Sequence, residues 1–111
     1  MIRITKQLVT SYLGDSIKLE CQTESFPIAD HYWLTNGHRI LNSINNTNNG
    51  KRNKNLNKYQ IRLKRVVQFK YIFQLQINYL NYDDSGQYIC QLNNRLGEAK
   101  SAIQLKGNFY I

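Results

Sequence analysis

The sequence predicts an all-β domain built as an antiparallel sandwich or barrel, and three of its features carry that prediction. Most readable segments alternate apolar and polar residues with a period of two, as strands with one buried face do. Turn residues separate these segments at short intervals. No segment shows an apolar stripe of helical period with capping residues at both ends. Short strands joined by turns account for this pattern.

The first half of the chain contains two clear strands. SIKLECQT places three side chains on one face: Ile17, Leu19 and Cys21. HYWLT follows, and the dipeptide Asn36-Gly37 after it predicts a tight hairpin, because both residues tolerate a positive φ.

The second half contains three more. FKYIFQLQI places five residues on one face: Phe69, Tyr71, Phe73, Leu75 and Ile77. GQYICQLN groups Tyr88, Cys90 and Leu92, and EAKSAIQL groups Ala99, Ser101, Ile103 and Leu105. Turn residues precede both of these strands, with Asp83 to Gly86 before the first and Gly97 before the second.

The 111 residues are enough for one domain, residues 1–111, with a single core. Residues 42–58 interrupt the alternation, because eight of these 17 residues are Asn and four are Lys or Arg. So polar a stretch has little to bury, and it predicts a long mobile loop. The first residues alternate and carry charge, unlike a signal peptide, so we expect any export signal or membrane anchor to lie outside this chain.

The two cysteines are 69 positions apart and do not form a zinc-binding spacing with either histidine. We therefore expect no metal and no cofactor. The residues alone leave two alternatives, a pair of buried thiols or one disulfide. A bridge closing so long a loop would stabilise the fold by roughly 4 kcal/mol and would indicate an oxidising compartment.

The spacing of Cys21, Trp33 and Cys90, with Tyr88 two residues before the second cysteine, resembles the immunoglobulin fold. The segments LQINYLNYDDSGQYIC and NNRLGEA extend the resemblance to the intermediate, or I-set, class. It implies an immunoglobulin-like two-sheet antiparallel sandwich in which a Cys21–Cys90 disulfide joins the sheets. It also implies a set of core signature residues: Trp33, Leu75, Asp84, Gly86 and Tyr88.

More narrowly, QLVTSYLGDSIKLECQTESFP, HYWLTNG and NRLGEAKSAIQL resemble the third immunoglobulin domain of lachesin-like and IgLON-type neuronal adhesion proteins. That resemblance implies a non-catalytic extracellular module of a neuronal cell-surface protein with several such domains. The module would act by protein–protein interaction or as a spacer. In immunoglobulin domains a basic residue often pairs with the acid at the position of Asp84, and Lys58 and Arg62 are both candidates for that role.

Two strands supply a candidate face for a protein partner. Because Trp33 and Cys90 point inward, their neighbours must point outward. These neighbours are Tyr32, Leu34, Ile89 and Gln91. An outward patch of Tyr, Leu and Ile suits a cell-surface protein, bound homophilically or heterophilically. Scattered surface apolar residues are the alternative interpretation.

The charge is strongly uneven. The net charge is +8, and the 52 residues between Asp30 and Asp83 contain no acid. A candidate polyanion patch comprises Arg39, Lys51, Arg52, Lys54, Lys58, Arg62, Lys64 and Arg65. A sulfated glycosaminoglycan or a membrane surface could bind such a patch, and a solvated face is the simpler interpretation. Nucleic acid is disfavoured, because residues 42–58 contain no aromatic residue for bases to stack on.

Asn45 begins the one N-x-S/T sequon, Asn45-Asn46-Thr47, and is a candidate glycosylation site if the chain is secreted. An intracellular I-set domain of a muscle scaffold, with both thiols reduced, is a further alternative. An enzyme is the least expected class, because no nucleophile–base pair or phosphate-binding loop is visible in the sequence.

Overall fold

The computed structural model describes residues 2–5, 9–12, 14, 16–41 and 58–108. Within them lie nine strands: β1 (Ile2–Thr5), β2 (Val9–Tyr12), β3 (Ile17–Ser25), β4 (Asp30–Thr35), β5 (His38–Arg39), β6 (Tyr59–Val67), β7 (Lys70–Ile77), β8 (Gly86–Asn94) and β9 (Gly97–Asn108). A single turn of 3-10 helix, Tyr82–Asp84, precedes β8. The predicted loop lies largely outside the described residues, which resume at Lys58.

The strands form two sheets, as the resemblance implies. One sheet has four strands in the order β1-β3-β7-β6, and the other has five in the order β2-β9-β8-β4-β5. Every pairing is antiparallel except β2 with β9, which is parallel. The N-terminal segment therefore contributes β1 to one sheet and β2 to the other. Apart from this one edge pair, the architecture is the predicted immunoglobulin-like two-sheet antiparallel sandwich.

The core lies between the sheets and contains most of the inward positions that the alternation predicts, together with Ala29, Ile40 and Leu80 from the connections. Trp33, Leu75 and Cys90 have no exposed surface, and the burial of β7 alternates strictly along its length. Phe69 is the exception among the predicted inward residues, because it lies in the turn before β7 with a φ of +68°. The hairpin at Asn36-Gly37 forms as predicted, with φ values of 52° and 77°.

Candidate functional site

The Cys21–Cys90 disulfide joins the two sheets at the centre of the core. Cys21 on β3 lies opposite Phe73 on β7, and Cys90 on β8 lies opposite Trp33 on β4. The Trp33 and Phe73 rings stack at a centroid distance of 5.2 Å. Each sheet therefore contributes one cysteine and one aromatic ring to the same central contact.

Asp84 and Tyr88 of the segment DSGQYIC form a buried hydrogen-bonded corner. The Tyr88 hydroxyl donates to the backbone oxygen of Asp84 at 2.7 Å. The Asp84 carboxylate accepts from the backbone N–H of Asn81 at 2.9 Å and from Lys58 Nζ at 2.5 Å. Gly86 has a φ of +142°, a conformation that side-chain-bearing residues rarely adopt. The buried polar groups of this corner, on Asp84 and Tyr88, are hydrogen-bonded within the fold.

The electrostatics of the corner also oppose reactivity. Burial raises the pKa of the Tyr88 hydroxyl, and the nearby Tyr59 and Asp84 groups raise it further. Burial raises the pKa of Tyr59 as well, again with a contribution from Asp84. A phenol with so high a pKa stays protonated at neutral pH, which suits its role as a hydrogen-bond donor.

Lys58 is the residue that pairs with Asp84, which settles the choice between Lys58 and Arg62. Its ammonium also donates to the Tyr79 carbonyl at 3.2 Å, and its side chain is only 16% exposed. Lys58 is therefore not available to bind a polyanion, because the Asp84 carboxylate already neutralises its charge within the fold. Arg62 is exposed on β6, opposite Gln74.

The outer side of the five-stranded sheet brings the four candidate binding residues together. Tyr32 lies opposite Gln91, and Leu34 lies opposite Ile89, on the neighbouring strands β4 and β8. All four are half-buried. We call this surface, formed by Tyr32, Leu34, Ile89 and Gln91, the β4–β8 face.

Two neighbours extend the β4–β8 face. Ala102 on β9 lies opposite Ile89 and continues its apolar centre. The guanidinium of Arg39 lies 4.2 Å from the centre of the Tyr32 ring, a cation–π contact that the sequence did not reveal. An apolar centre beside a stacked guanidinium is a composition that protein-binding surfaces favour.

The predicted basic residues that the structure describes do not lie in one patch. Arg62 and Lys64 point to the outer side of the four-stranded sheet, whereas Arg65 lies opposite the inward-facing Tyr71. Arg39 belongs to the other sheet. Two acids, Glu20 and Glu24, lie two strands away from Arg62 and Lys64 on the same outer side. Three of the predicted basic residues, Lys51, Arg52 and Lys54, lie outside the described residues. The candidate glycosylation site Asn45 lies outside them as well.

His31 occupies a position that sequence reasoning did not single out. Its Nδ1 donates to the Ala29 carbonyl at 3.1 Å, so Nε2 accepts from the Thr23 hydroxyl at 2.9 Å. The rings of Tyr71 and Phe73 contact the imidazole edge to face. Burial lowers the pKa of His31, although the Ala29 carbonyl and the charge of Asp30 act in the opposite direction.

Among the residues that the structure describes, no three His, Cys, Asp or Glu side chains are grouped to hold a metal ion. None of the helical structure in those same ranges is long and apolar enough to cross a membrane.

Two bridged sheets, a tryptophan beside the bridge and a tyrosine corner define an immunoglobulin-type domain. The sequence profile of the immunoglobulin I-set domain family matches residues 1–106. The chain belongs to this family, which is non-enzymatic.

Two curated relatives are cell adhesion molecules. The chain is 28% identical over 102 residues to neural cell adhesion molecule 1 of Homo sapiens, a match covering 87% of this chain and 9% of the relative. It is 27% identical over 97 residues to neural cell adhesion molecule 1-A of Xenopus laevis, covering 87% and 7%. The chain thus spans less than a tenth of the length of either relative.

Solved structures agree on the fold. A chain in the complex of Dpr2 Ig1-Ig2 with DIP-Theta Ig1-Ig3 matches with a TM-score of 0.75 and 29% identity, over 96% of this chain and 32% of that one. The structure of the N-terminal eight Ig domains of Down Syndrome Cell Adhesion Molecule matches with a TM-score of 0.74 and 23% sequence identity. The match covers 96% of this chain and 12% of that one. The M1 domain of titin matches with a TM-score of 0.71 and 16% sequence identity, over 97% of this chain and 95% of that one. At this identity the match is evidence for a shared fold only.

Proposed function

We propose that this chain is one immunoglobulin module of an extracellular, neuronal cell-surface adhesion or recognition protein with several such domains. The observation that carries the proposal is the buried Cys21–Cys90 bridge, since it uses both cysteines and persists in an oxidising compartment. The adhesion proteins among its relatives support the same function, and the narrower likeness to lachesin-like and IgLON-type domains belongs to this proposal. A segment outside this chain anchors the protein.

Two measurements separate this proposal from an intracellular muscle-scaffold domain: the cellular compartment of the protein and the oxidation state of its two cysteines. Cells producing the full-length protein are treated with a membrane-impermeant biotin reagent, and the denatured protein is alkylated without a reductant. We expect surface biotinylation and no alkylated cysteine in this domain. Two alkylated cysteines on a protein that escapes biotinylation would favour the muscle-scaffold alternative.

We propose that the β4–β8 face binds a cell-surface protein, either another copy or a different molecule. An acidic side chain at Leu34 or Ile89 would break the apolar centre without reaching the core. Beads or cells bearing the full-length protein are tested for aggregation and for binding to cells. Leu34→Glu and Ile89→Glu should reduce binding at least tenfold, whereas Leu63→Glu on β6 serves as an exposed control. Unchanged binding by both face variants would assign the module a spacer role.

A second candidate function is binding of a sulfated glycosaminoglycan. The observation that favours it is the alternation of Arg62 and Lys64, which puts two exposed cations on the same side of β6. Immobilised heparin should retain the protein to a higher salt concentration than a cation exchanger of matched charge does. Arg62→Glu with Lys64→Glu should remove that excess, and Lys100→Glu with Lys106→Glu is the control of equal charge change. Equal elution from both resins would exclude specific binding.

We also propose a glycan at Asn45 in the secreted protein. Enzymatic removal of N-linked glycans should lower the mass of the wild type, and Asn45→Gln should remove this response from the domain. An unchanged mass after the treatment would contradict the proposal.

A further inference from the structure

One end of the sandwich carries an exposed apolar surface, separate from the β4–β8 face. Four side chains form it, and we call it the apolar end surface: Phe26, Ile28, Val67 and Leu96. Their exposed fractions are 55%, 67%, 54% and 65% respectively. Phe26 and Ile28 lie between β3 and β4, and Leu96 lies between β8 and β9. Val67 is the last residue of β6, at the turn into β7.

Contacts among these three connections hold the end surface together. The rings of Phe26 and Phe69 meet edge to face at 4.8 Å, and the Ser25 N–H donates to the Phe69 carbonyl at 3.0 Å. On the other side, Asn94 Nδ2 donates to the Pro27 carbonyl at 3.0 Å. These contacts connect the three turns at the end of the sandwich where the four apolar side chains are exposed.

The direction of the chain brings a specific occupant to this surface. β1 pairs with β3 so that Ile2 lies opposite Ser25, next to Phe26. Residues joined to the N-terminal side of Ile2 must therefore leave the sandwich at this same end. The matched complex of Dpr2 Ig1-Ig2 with DIP-Theta Ig1-Ig3 contains consecutive immunoglobulin domains in each chain. A domain preceding this one in such an array would lie against the apolar end surface.

The size of the surface favours a tethered partner over a free one. Stable interfaces between separate proteins engage about 20–30 residues on each side, far more than this end surface offers. A short covalent linker instead supplies an effective concentration on the order of millimolar, at which a small apolar contact is populated. Contacts between domains of one chain are commonly small for this reason.

We propose that the apolar end surface docks the domain that precedes this one in the same polypeptide. The inference rests on the multi-domain part of the proposed function and adds the surface used. Because the contact is small, it biases the angle between the two domains rather than fixing them irreversibly.

Amide hydrogen exchange in the natural full-length protein, compared with the isolated 111-residue chain, tests the inference. We expect exchange at residues 26–29 and 94–97 to be at least fivefold slower in the full-length protein. Ile28→Ser combined with Leu96→Ser should abolish that difference. Both side chains are largely exposed, so the isolated variant should keep its melting temperature. Leu63→Ser, on the flank of the sandwich, is the matched control and should leave the slowing intact.

Three results would overturn the inference. One is equal exchange in both proteins although a folded domain precedes this one. Another is a full-length sequence with no domain before Ile2. The third is self-association of the isolated chain that the double variant abolishes, because the surface would then bind a second copy. A reduced, intracellular protein would refute the proposed function instead, so the two failures are distinguishable.

Discussion

Trp33 and Phe73 stack across the middle of the sandwich, with their ring planes only 20° apart. Each ring lies directly opposite one half of the disulfide, Trp33 beside Cys90 and Phe73 beside Cys21. The indole Nε1 is buried and has no hydrogen-bond partner among the described residues. The ring therefore stabilises the fold by packing alone.

Truncating either ring should be costly, because both are buried in the core. We expect Trp33→Ala and Phe73→Ala each to lower the free energy of unfolding by about 3–5 kcal/mol. Guanidinium denaturation with the disulfide intact provides the measurement. Because the rings touch, the double variant should depart from additivity by about 0.5–1.5 kcal/mol. Strict additivity would show that the stacking itself contributes nothing.

The bridge should contribute separately from the rings. It closes a loop of 69 residues, which corresponds to about 4 kcal/mol of lost unfolded-state entropy. Cys21→Ala combined with Cys90→Ala should lower the free energy of unfolding by roughly that amount at pH 7. The wild type under strong reductant should lose a similar amount. A loss below about 1 kcal/mol would mean that the unfolded chain is already constrained by residual structure.

The period of two allowed the inward positions to be predicted, because a strand with one buried face exposes alternate residues to each side. It placed Cys21 and Cys90 inside, the immunoglobulin resemblance added Trp33, and the turn chemistry placed the hairpin at Asn36-Gly37. The same period also separates Arg62 and Lys64 from Arg65, so the division of the basic set was present in the sequence.

Contacts between elements were not predictable in this way. Periodicity shows which side of a strand is buried, but it does not identify the side chain that meets it from the facing sheet. The Trp33–Phe73 stack and the parallel pairing of β2 with β9 both depend on how the sheets are placed. For the same reason, the sequence did not show whether Lys58 or Arg62 pairs with Asp84. Only the structure shows that the Lys58 ammonium lies beside the Asp84 carboxylate.

The Lys58–Asp84 ion pair predicts sharply different outcomes for two basic residues. Lys58→Met leaves a carboxylate that is 7% exposed without its counter-charge, so the free energy of unfolding should fall by about 3–5 kcal/mol. Arg62→Met makes the same chemical change on the exposed part of β6 and should stay within about 0.5 kcal/mol of wild type. Denaturant titration at constant salt compares them.

Adding Asp84→Asn to Lys58→Met tests the cause of that loss. Removing the unpaired charge should recover part of the stability, because a neutral amide is less costly to bury. No recovery would indicate that the Lys58 stem packs against the corner and that its charge matters little.

His31 makes the stability of the fold dependent on pH in a predictable direction. Burial lowers the pKa of the folded-state imidazole below its ordinary value of 6.5, so the unfolded chain binds the proton more readily. The contribution of neutral His31 is therefore complete above pH 6.5 and is lost as the pH falls through the folded-state pKa. Denaturant unfolding at pH 7.5 and at successively lower values should show this decline.

Substitution of each histidine identifies the group responsible. His31→Gln should flatten the decline just below pH 6.5, although it also lowers stability at pH 7.5 by disturbing the contacts with Thr23 and Ala29. His38→Gln removes the other histidine, at an exposed position in the hairpin, and is the matched control for the substitution. A full decline in His31→Gln would show that His31 is not its cause and would contradict the prediction.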